Sequence, residues 1–215
     1  KLAENPQDHQ IRFDLALADP VRRWIREVIA RHTGGRLKIA PEHLCDSVLK
    51  RMGKAPAETY TRFVEVFDRQ CEEDGLRHER IEYFISGFPG CRDEDMIELA
   101  LALRRARVQP EQVQDFYPAP LTPAAAMFYT GLDWETGEAI FVARSDRQKA
   151  RQRALLLSHL PGYQDLAREA LLEAGREDLI GVGPGALVHP RTGDRRSPHT
   201  AKRKAYSRGK NQRPG

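Results

Sequence analysis

Residues 11–120 alternate between two kinds of hydrophobic pattern. Short, mostly apolar or alternating runs are typical of strands, and the longer runs between them repeat apolar residues every three or four positions, as on one helix face. The predicted strands are 11–17, 36–43, 80–87 and 111–120. The predicted helices begin at Pro20, Pro56 and Asp93, with a short helical turn at 48–52. This order predicts right-handed βαβ units and a parallel sheet.

The pattern changes after residue 122. A short helix at 123–131 precedes a hairpin turn at Thr136-Gly137, and two helices follow at 146–159, capped by Ser145, and at 163–174. From residue 189 onward the apolar periodicity is lost, which predicts disorder. The chain thus divides into a sheet region, a mostly helical extension with a short hairpin, and a disordered basic tail, at residues 1–120, 121–188 and 189–215.

Charge is distributed unevenly along the 215 residues. The formal net charge is +4, but nine basic residues and one acid from Arg191 onward give +8, which leaves −4 for residues 1–190. The basic character therefore belongs to the tail. No apolar run is long enough for a membrane span. The three cysteines, Cys45, Cys71 and Cys91, form no CxxC pair, which suggests reduced thiols in a cytoplasmic protein.

The segment FISGFPGCRDEDM, residues 84–96, joins a predicted strand to a predicted helix through a glycine-bracketed turn. Ligands of parallel α/β sheets bind at the carboxyl ends of the strands. Gly87 and Gly90 leave the backbone accessible, and the acids that open the helix disfavour phosphate, so we expect a polar small molecule held by backbone contacts. The alternative is an ordinary turn before a helix whose acidic start matches its dipole.

Several segments resemble a known family. YFISGFPGCRDEDMIELALALRR and VQPEQVQDFYPAPLTPAAAMFYTGLD resemble the second half of a radical SAM barrel, and the Gly-Phe-Pro-Gly turn is similar to the fifth-strand turn of radical SAM methylthiotransferases. With RFDLALADP, GGRLKIAPEH, VLKRMGK and GLDWETGE, the resemblance narrows to the YgiQ-type radical SAM family and covers residues 11–185.

The resemblance implies the second half of a partial (β/α)6 barrel that binds S-adenosylmethionine beside a [4Fe–4S] cluster. The family holds this cluster with three cysteines of a CxxxCxxC loop, which this sequence lacks. Because the first residue is Lys1, we expect the C-terminal portion of a longer enzyme, which binds no cluster by itself. In the complete protein, electrons from a donor would cleave S-adenosylmethionine to a 5′-deoxyadenosyl radical that acts on an unknown substrate.

The resemblance also suggests which residues contact the cofactor. These are Glu42, His43, Arg12, Gly87, Phe88, Pro89, Gly90, Gln114 and Phe116. Glu42 would bind a ribose hydroxyl or the ammonium group, and Arg12, on a strand facing the barrel interior, would bind a carboxylate. The turn and the last strand would contact the adenosyl part.

Structural roles remain open for these residues. Glu42 would then form an ion pair with a nearby Lys or Arg, and Arg12 would form an ion pair with Asp14. His43 would lie on the surface, and Phe116 would belong to the hydrophobic core.

A nucleic-acid-binding module is the alternative function. The segment LIGVGPGALV, residues 179–188, resembles a helix-hairpin-helix turn, and the basic tail would add weak nonspecific contacts to RNA or DNA. A membrane partner is not expected.

Overall fold

The computed structural model describes residues 12–18 and 23–191. The helices are α1 Phe13–Ala18, α2 Arg23–His32, α3 Asp46–Arg51, α4 Ala57–Glu73, α5 Asp93–Arg105, α6 Pro123–Thr130, α7 Asp146–Leu156 and α8 Gln164–Glu173. The strands are β1 Arg36–Glu42, β2 Glu79–Ser86 and β3 Gln112–Asp115. The predicted disordered tail falls almost entirely outside the described residues.

The three strands form one parallel sheet in the order β1-β2-β3. Chain order and sheet order agree, and α3 with α4 and then α5 connect successive strands. Both findings follow from βαβ units, so the prediction of a mixed α/β fold with a parallel sheet is confirmed for these three strands. β3 is shorter than predicted because prolines occupy positions 118 and 120, and a proline has no N–H group for a sheet.

The strand predicted at 11–17 is wrong, because residues 13–18 form helix α1. The Phe13 ring packs 4.8 Å from that of Phe63 and 5.6 Å from that of Tyr60, centroid to centroid, both on α4. Phe13, Ala16 and Leu17 are three and four residues apart, so a helix directs all three toward the same cluster. A strand would send Ala16 and Leu17 to opposite faces.

The two faces of the sheet at β2 are buried to different extents. Phe84 and Ser86 are fully buried beneath helices, and Glu82 on the same face is buried against Arg80 and the Tyr60 hydroxyl. The opposite face carries Ile81, Tyr83 and Ile85, which are half-buried. The neighbouring strands contribute exposed side chains to this opposite face, namely Lys38, Gln112 and Gln114. In the described part of the chain this second face is therefore incompletely covered.

The helical extension shares its core with the sheet. Met127 of α6, Leu155 of α7 and Leu171 of α8 belong to the same buried cluster as Phe84 and Leu99. The predicted helices at 146–159 and 163–174 are present as α7 and α8, and the Ser145 hydroxyl accepts a hydrogen bond from the Gln148 N–H as a helix cap. The predicted hairpin is reduced to a single antiparallel bridge between Leu132 and Ala139.

Residues 179–188 do not form a helix-hairpin-helix. A short 3₁₀ turn, Glu177–Leu179, is followed by bends and by a bridge between Ile180 and Val188, so no second helix follows the glycines within the described residues. The alternative nucleic-acid function loses its structural basis here. None of the described helices combines the length and the apolar character that a membrane span requires.

Candidate functional site at the carboxyl edge of the sheet

The carboxyl ends of the three strands lie at one edge of the sheet, because the strands are parallel. The ends of β2 and β3 are fixed to each other there. The Ser86 hydroxyl donates a hydrogen bond to Asp115 Oδ1 over 2.7 Å, and the Phe116 N–H donates to the Ser86 carbonyl over 2.7 Å. Arg153 of α7 binds the other Asp115 oxygen at 2.5 Å, so α7 is anchored to this edge as well.

The turn after β2 depends on its two glycines. Gly87 has φ +73° and Gly90 has φ +86°, a region that side-chain-bearing residues rarely adopt. A Cβ atom at Gly90 would lie 2.7 Å from Cδ of Arg51, and one at Gly87 would lie 3.3 Å from Cγ of Lys149. Gly90 is therefore required both for its conformation and for the close approach of Arg51.

The protein itself uses the N–H groups of this turn. Gly87 donates a hydrogen bond to Oε1 of Gln152 over 2.8 Å, and Gly90 donates to the Phe141 carbonyl over 2.7 Å. These are the groups that the sequence suggested for ligand contact. In this structure the acceptors of both N–H groups belong to the helical extension.

Gln152 is the central contact between the extension and the turn. It is fully buried, and its Nε2 donates to the Cys91 carbonyl over 3.1 Å and to Oδ1 of Asp93 over 3.2 Å. Burial raises the pKa of Asp93. Sequence analysis missed Gln152, although it shares a helix face with Leu155 and Leu156, so a polar residue on an apolar face was the available signal.

Arg51 and Asp133 hold the other side of the turn. Arg51 Nε donates to Asp133 Oδ2 over 2.9 Å, and Asp133 Oδ1 accepts the Glu135 N–H over 3.0 Å. The backbone N–H of Glu135 and the Arg51 guanidinium lower the pKa of Asp133. This largely buried ion pair joins α3 to the 131–144 segment across Gly90.

Glu42 and His43 end β1 in different environments. Glu42 is half-buried, has φ +64°, and lies 3.4 Å from Lys54 Nζ. His43 is fully buried rather than on the surface: its Nδ1 accepts the Cys45 N–H over 2.9 Å, and its Nε2 lies 3.5 Å from Cys91 Sγ. Burial lowers the pKa of His43 to about 4, so the ring is neutral at neutral pH.

Arg12 precedes a helix, so it does not project from a strand into a barrel. Its side chain is largely exposed and forms an ion pair with Asp14 at 2.7 Å, which is the structural role that the sequence also allows. Arg12 nevertheless lines a small cavity of about 80 Å³ together with His43 and Tyr60. The structure thus brings two of the predicted residues, Arg12 and His43, to one cavity.

The remaining predicted residues lie around the end of β3. Phe116 packs edge-to-face on Phe88, with ring centroids 5.2 Å apart, and contacts Phe128 at 5.9 Å. Gln114 is exposed and lies opposite Ile85 on the incompletely covered face. Pro89 is buried within the turn.

The thiols do not form a metal site. Among the residues that the structure describes, no group of three or more His, Cys, Asp or Glu side chains could hold a metal ion. Cys45 Sγ donates to the Asp95 carbonyl over 3.3 Å. Burial raises the pKa of Cys45 to about 11 and that of Cys91 well above its ordinary value, so both are protonated thiols at neutral pH.

Comparison with known proteins places the chain in a family. A family model described as "Domain of unknown function (DUF3362)" matches residues 111–214. The chain is 47% identical to a UPF0313 protein of Clostridium perfringens over 178 residues, or 83% of this chain and 27% of that protein. It is 41% identical to a Vibrio vulnificus UPF0313 protein over 207 residues, or 94% and 27%.

The UPF0313 protein YgiQ of Escherichia coli K12 is 42% identical over 183 residues, or 83% of this chain and 24% of YgiQ. The chain thus spans about a quarter of the length of these relatives. The region matched by the family model begins at the start of β3 and includes the helical extension that holds the glycine turn. The chain therefore belongs to the YgiQ-type family of UPF0313 proteins.

Proposed function

We propose that this chain is the C-terminal part of a radical SAM enzyme and that the carboxyl edge of its sheet binds the adenosyl part of S-adenosylmethionine. The observation that carries the proposal is the parallel order of β1, β2 and β3, with a tight glycine turn at the end of the central strand. Parallel α/β sheets bind their ligands at this edge. The incompletely covered face offers the surface on which a nucleoside would lie.

The proposed contacts come mainly from β3. Gln114 presents an exposed amide beside Ile85, and an amide can both donate to and accept from the edge of an adenine ring. β3 is also the last strand of the described sheet, so its outer edge has no strand partner among the described residues. Gly87 and Gly90 shape the turn instead of donating to the ligand, because their N–H groups already have acceptors.

The residues described here do not fit a [4Fe–4S] cluster. Such a cluster needs three thiolates close together, whereas Cys45 is a half-buried and Cys91 a buried protonated thiol, and no described group of side chains suits a metal. The proposed role of this chain is therefore to bind and orient the nucleoside. Radical formation, the electron donor and the substrate belong to the complete protein.

Titration of this chain with S-adenosylmethionine and with S-adenosylhomocysteine, followed by amide NMR, tests the binding site. We expect shifts at Ile85, Gly87 and Gln114, and we expect Gln114→Ala to weaken binding by roughly tenfold, since one amide contact to the ligand is lost. Gln112→Ala is the matched control, because Gln112 is an exposed glutamine on the same strand and face, farther from the carboxyl edge. Equal effects of both substitutions, or shifts confined to other residues, would contradict the assignment.

A full-length family member tests the reaction class. After anaerobic reconstitution with iron and sulfide, we expect a cluster absorbance and release of 5′-deoxyadenosine under dithionite. A protein with a full iron load that releases no 5′-deoxyadenosine would exclude a radical SAM function.

A further inference from the structure

A second cavity lies at the opposite edge of the sheet, beside the loop that leads into β3. Its volume is about 320 Å³, which falls within the range of small-molecule sites of about 300–1,000 Å³. It is formed by the last turns of α5 and α7, the loop 107–110 and residue 187. Nothing proposed above for the carboxyl edge uses this cavity.

The cavity combines an apolar floor with a cationic rim. The floor consists of Leu103, Leu155, Leu156 and Leu187, all buried. The rim carries the basic side chains of Arg104, Arg107 and His159, and none of the described lining residues is acidic. The carbonyl ends of α5 and α7 would by themselves disfavour an anion here, so the two arginines determine the sign of the charge at the rim.

Arg107 has the left-handed backbone conformation that glycine has at the ends of three other helices. α5 ends with hydrogen bonds from Arg107 N–H to the Arg104 carbonyl and from Val108 N–H to the Leu103 carbonyl, at 3.1 and 2.9 Å. The same pair of bonds ends α3, α4 and α8, where the left-handed residues are Gly53, Gly75 and Gly175. At α5 this position is occupied by Arg107, with φ +57°.

The Arg107 side chain also lacks a partner in the described part of the chain. Arg104 donates from Nε to the Pro184 carbonyl over 2.9 Å, but no described residue accepts a hydrogen bond from Arg107 or forms an ion pair with it. A strained backbone that carries an unpaired cation to the mouth of a cavity points to a ligand. A glycine would end the helix with less strain but could not bind an anion there.

We propose that this cavity binds a small organic anion, a carboxylate on an apolar body, with the body on the leucine floor and the carboxylate on Arg107. A guanidinium matches a carboxylate because its parallel N–H groups can bind both oxygens. Inorganic phosphate would leave the leucine floor without an apolar partner. A neutral or cationic amphiphile would leave Arg107 unpaired.

Amide NMR of the 215-residue chain with octanoate tests the proposal. We expect shifts at Leu103, Val108 and Leu187 with octanoate, and not with octylammonium or inorganic phosphate. Octylammonium has the same tail and the opposite charge, and phosphate has the charge without the tail. Comparable shifts with either of them, or none with octanoate at millimolar concentration, would overturn the proposal.

The substitution Arg107→Gly separates binding from folding. It should weaken octanoate binding by about tenfold or more, because a charge-assisted contact is lost. It should also raise the melting temperature, because glycine relieves the left-handed strain. Arg105→Ala is the control, since Arg105 is an exposed arginine at the end of α5 that does not line the cavity. Unchanged octanoate affinity in Arg107→Gly would overturn the assignment of Arg107.

Discussion

At the scale of single residues, the buried histidine at the end of β1 has the clearest energetic consequence. His43 is fully buried, and its neutral ring contacts the Cys45 N–H and Cys91 Sγ. A protonated ring would lose the Nδ1 acceptor and would carry a charge into an apolar cluster. Folding is therefore linked to the neutral form of His43.

We predict that His43 makes stability depend on pH between 6.5 and 4. The pKa of His43 falls from 6.5 to about 4 on folding, so its contribution is fully present above pH 6.5 and is lost as the pH falls toward 4. The loss amounts to about 3 kcal/mol over that range. Urea unfolding at a series of pH values measures it.

His43→Asn is the control for this prediction. The Oδ1 atom of the introduced asparagine provides an acceptor for the Cys45 N–H, but the side chain does not titrate. As the pH falls from 6.5 toward 4, the free energy of unfolding of the wild type should therefore decrease more than that of the variant. Parallel curves for the two proteins would mean that other groups cause the pH dependence.

At the scale of secondary-structure elements, α7 holds the turn after β2 through one side chain. Gln152 satisfies the Gly87 N–H and the Cys91 carbonyl, and both would otherwise be buried polar groups without a partner. We predict that Gln152→Leu destabilises the protein by about 3 kcal/mol, since each orphaned buried group costs about 1–3 kcal/mol. Chemical denaturation measures the loss.

The Gly87 amide gives a local measure of the same contact. In Gln152→Leu this amide should exchange its hydrogen faster than in Gln152→Glu, because both variants lose the Nε2 donor to Cys91 and Asp93 but only glutamate retains an acceptor oxygen for the Gly87 N–H. If the Gly87 amide stays protected in Gln152→Leu, another group accepts its hydrogen bond, and the contact with Gln152 does not hold the turn.

Periodicity predicted the elements better than it predicted their contacts. α4 and β2 follow from their hydrophobic patterns, because Phe63, Phe67 and Cys71 lie on one helix face and Phe84 lies between half-buried neighbours. The segment 13–18 fits both periods over six residues, so packing against α4 decided its conformation. The hydrogen bonds of Gln152 to the turn have no sequence signal, because they join residues 61 to 65 positions apart.

At the scale of the whole molecule, one of the two buried hydrophobic clusters extends from the sheet into the helical extension. Phe84 and Leu99 are buried with Leu155 and Leu171, which lie beyond residue 120. The sheet region therefore cannot bury the apolar surface around Phe84 and Leu99 without α7 and α8, although its second cluster, around Phe63 and Phe67, contains no residue of the extension. The part of the chain predicted to be a separate extension is needed to complete the core.

We predict that a chain truncated after Pro120 does not unfold cooperatively. The truncation exposes Phe84, Met96 and Leu99 and leaves only the smaller cluster around Phe63 and Phe67, which we expect to be too small to offset the entropy of folding. Near-ultraviolet circular dichroism during heating should show a sharp transition for the chain ending at Arg191 and none for the truncated one. A sharp transition in the truncated chain would show that residues up to 120 fold alone.

The segment from Leu132 to Phe141 connects two distant parts of the chain. Asp133 binds Arg51 and the Phe141 carbonyl accepts the Gly90 N–H, while Trp134 and the residues up to Ala139 between these contacts are exposed. A single proteolytic cut in this exposed stretch would leave Asp133 and Phe141 on different fragments. The glycine turn would then no longer be held by one continuous segment that contacts both Arg51 and Gly90, although every residue of the turn itself remained intact.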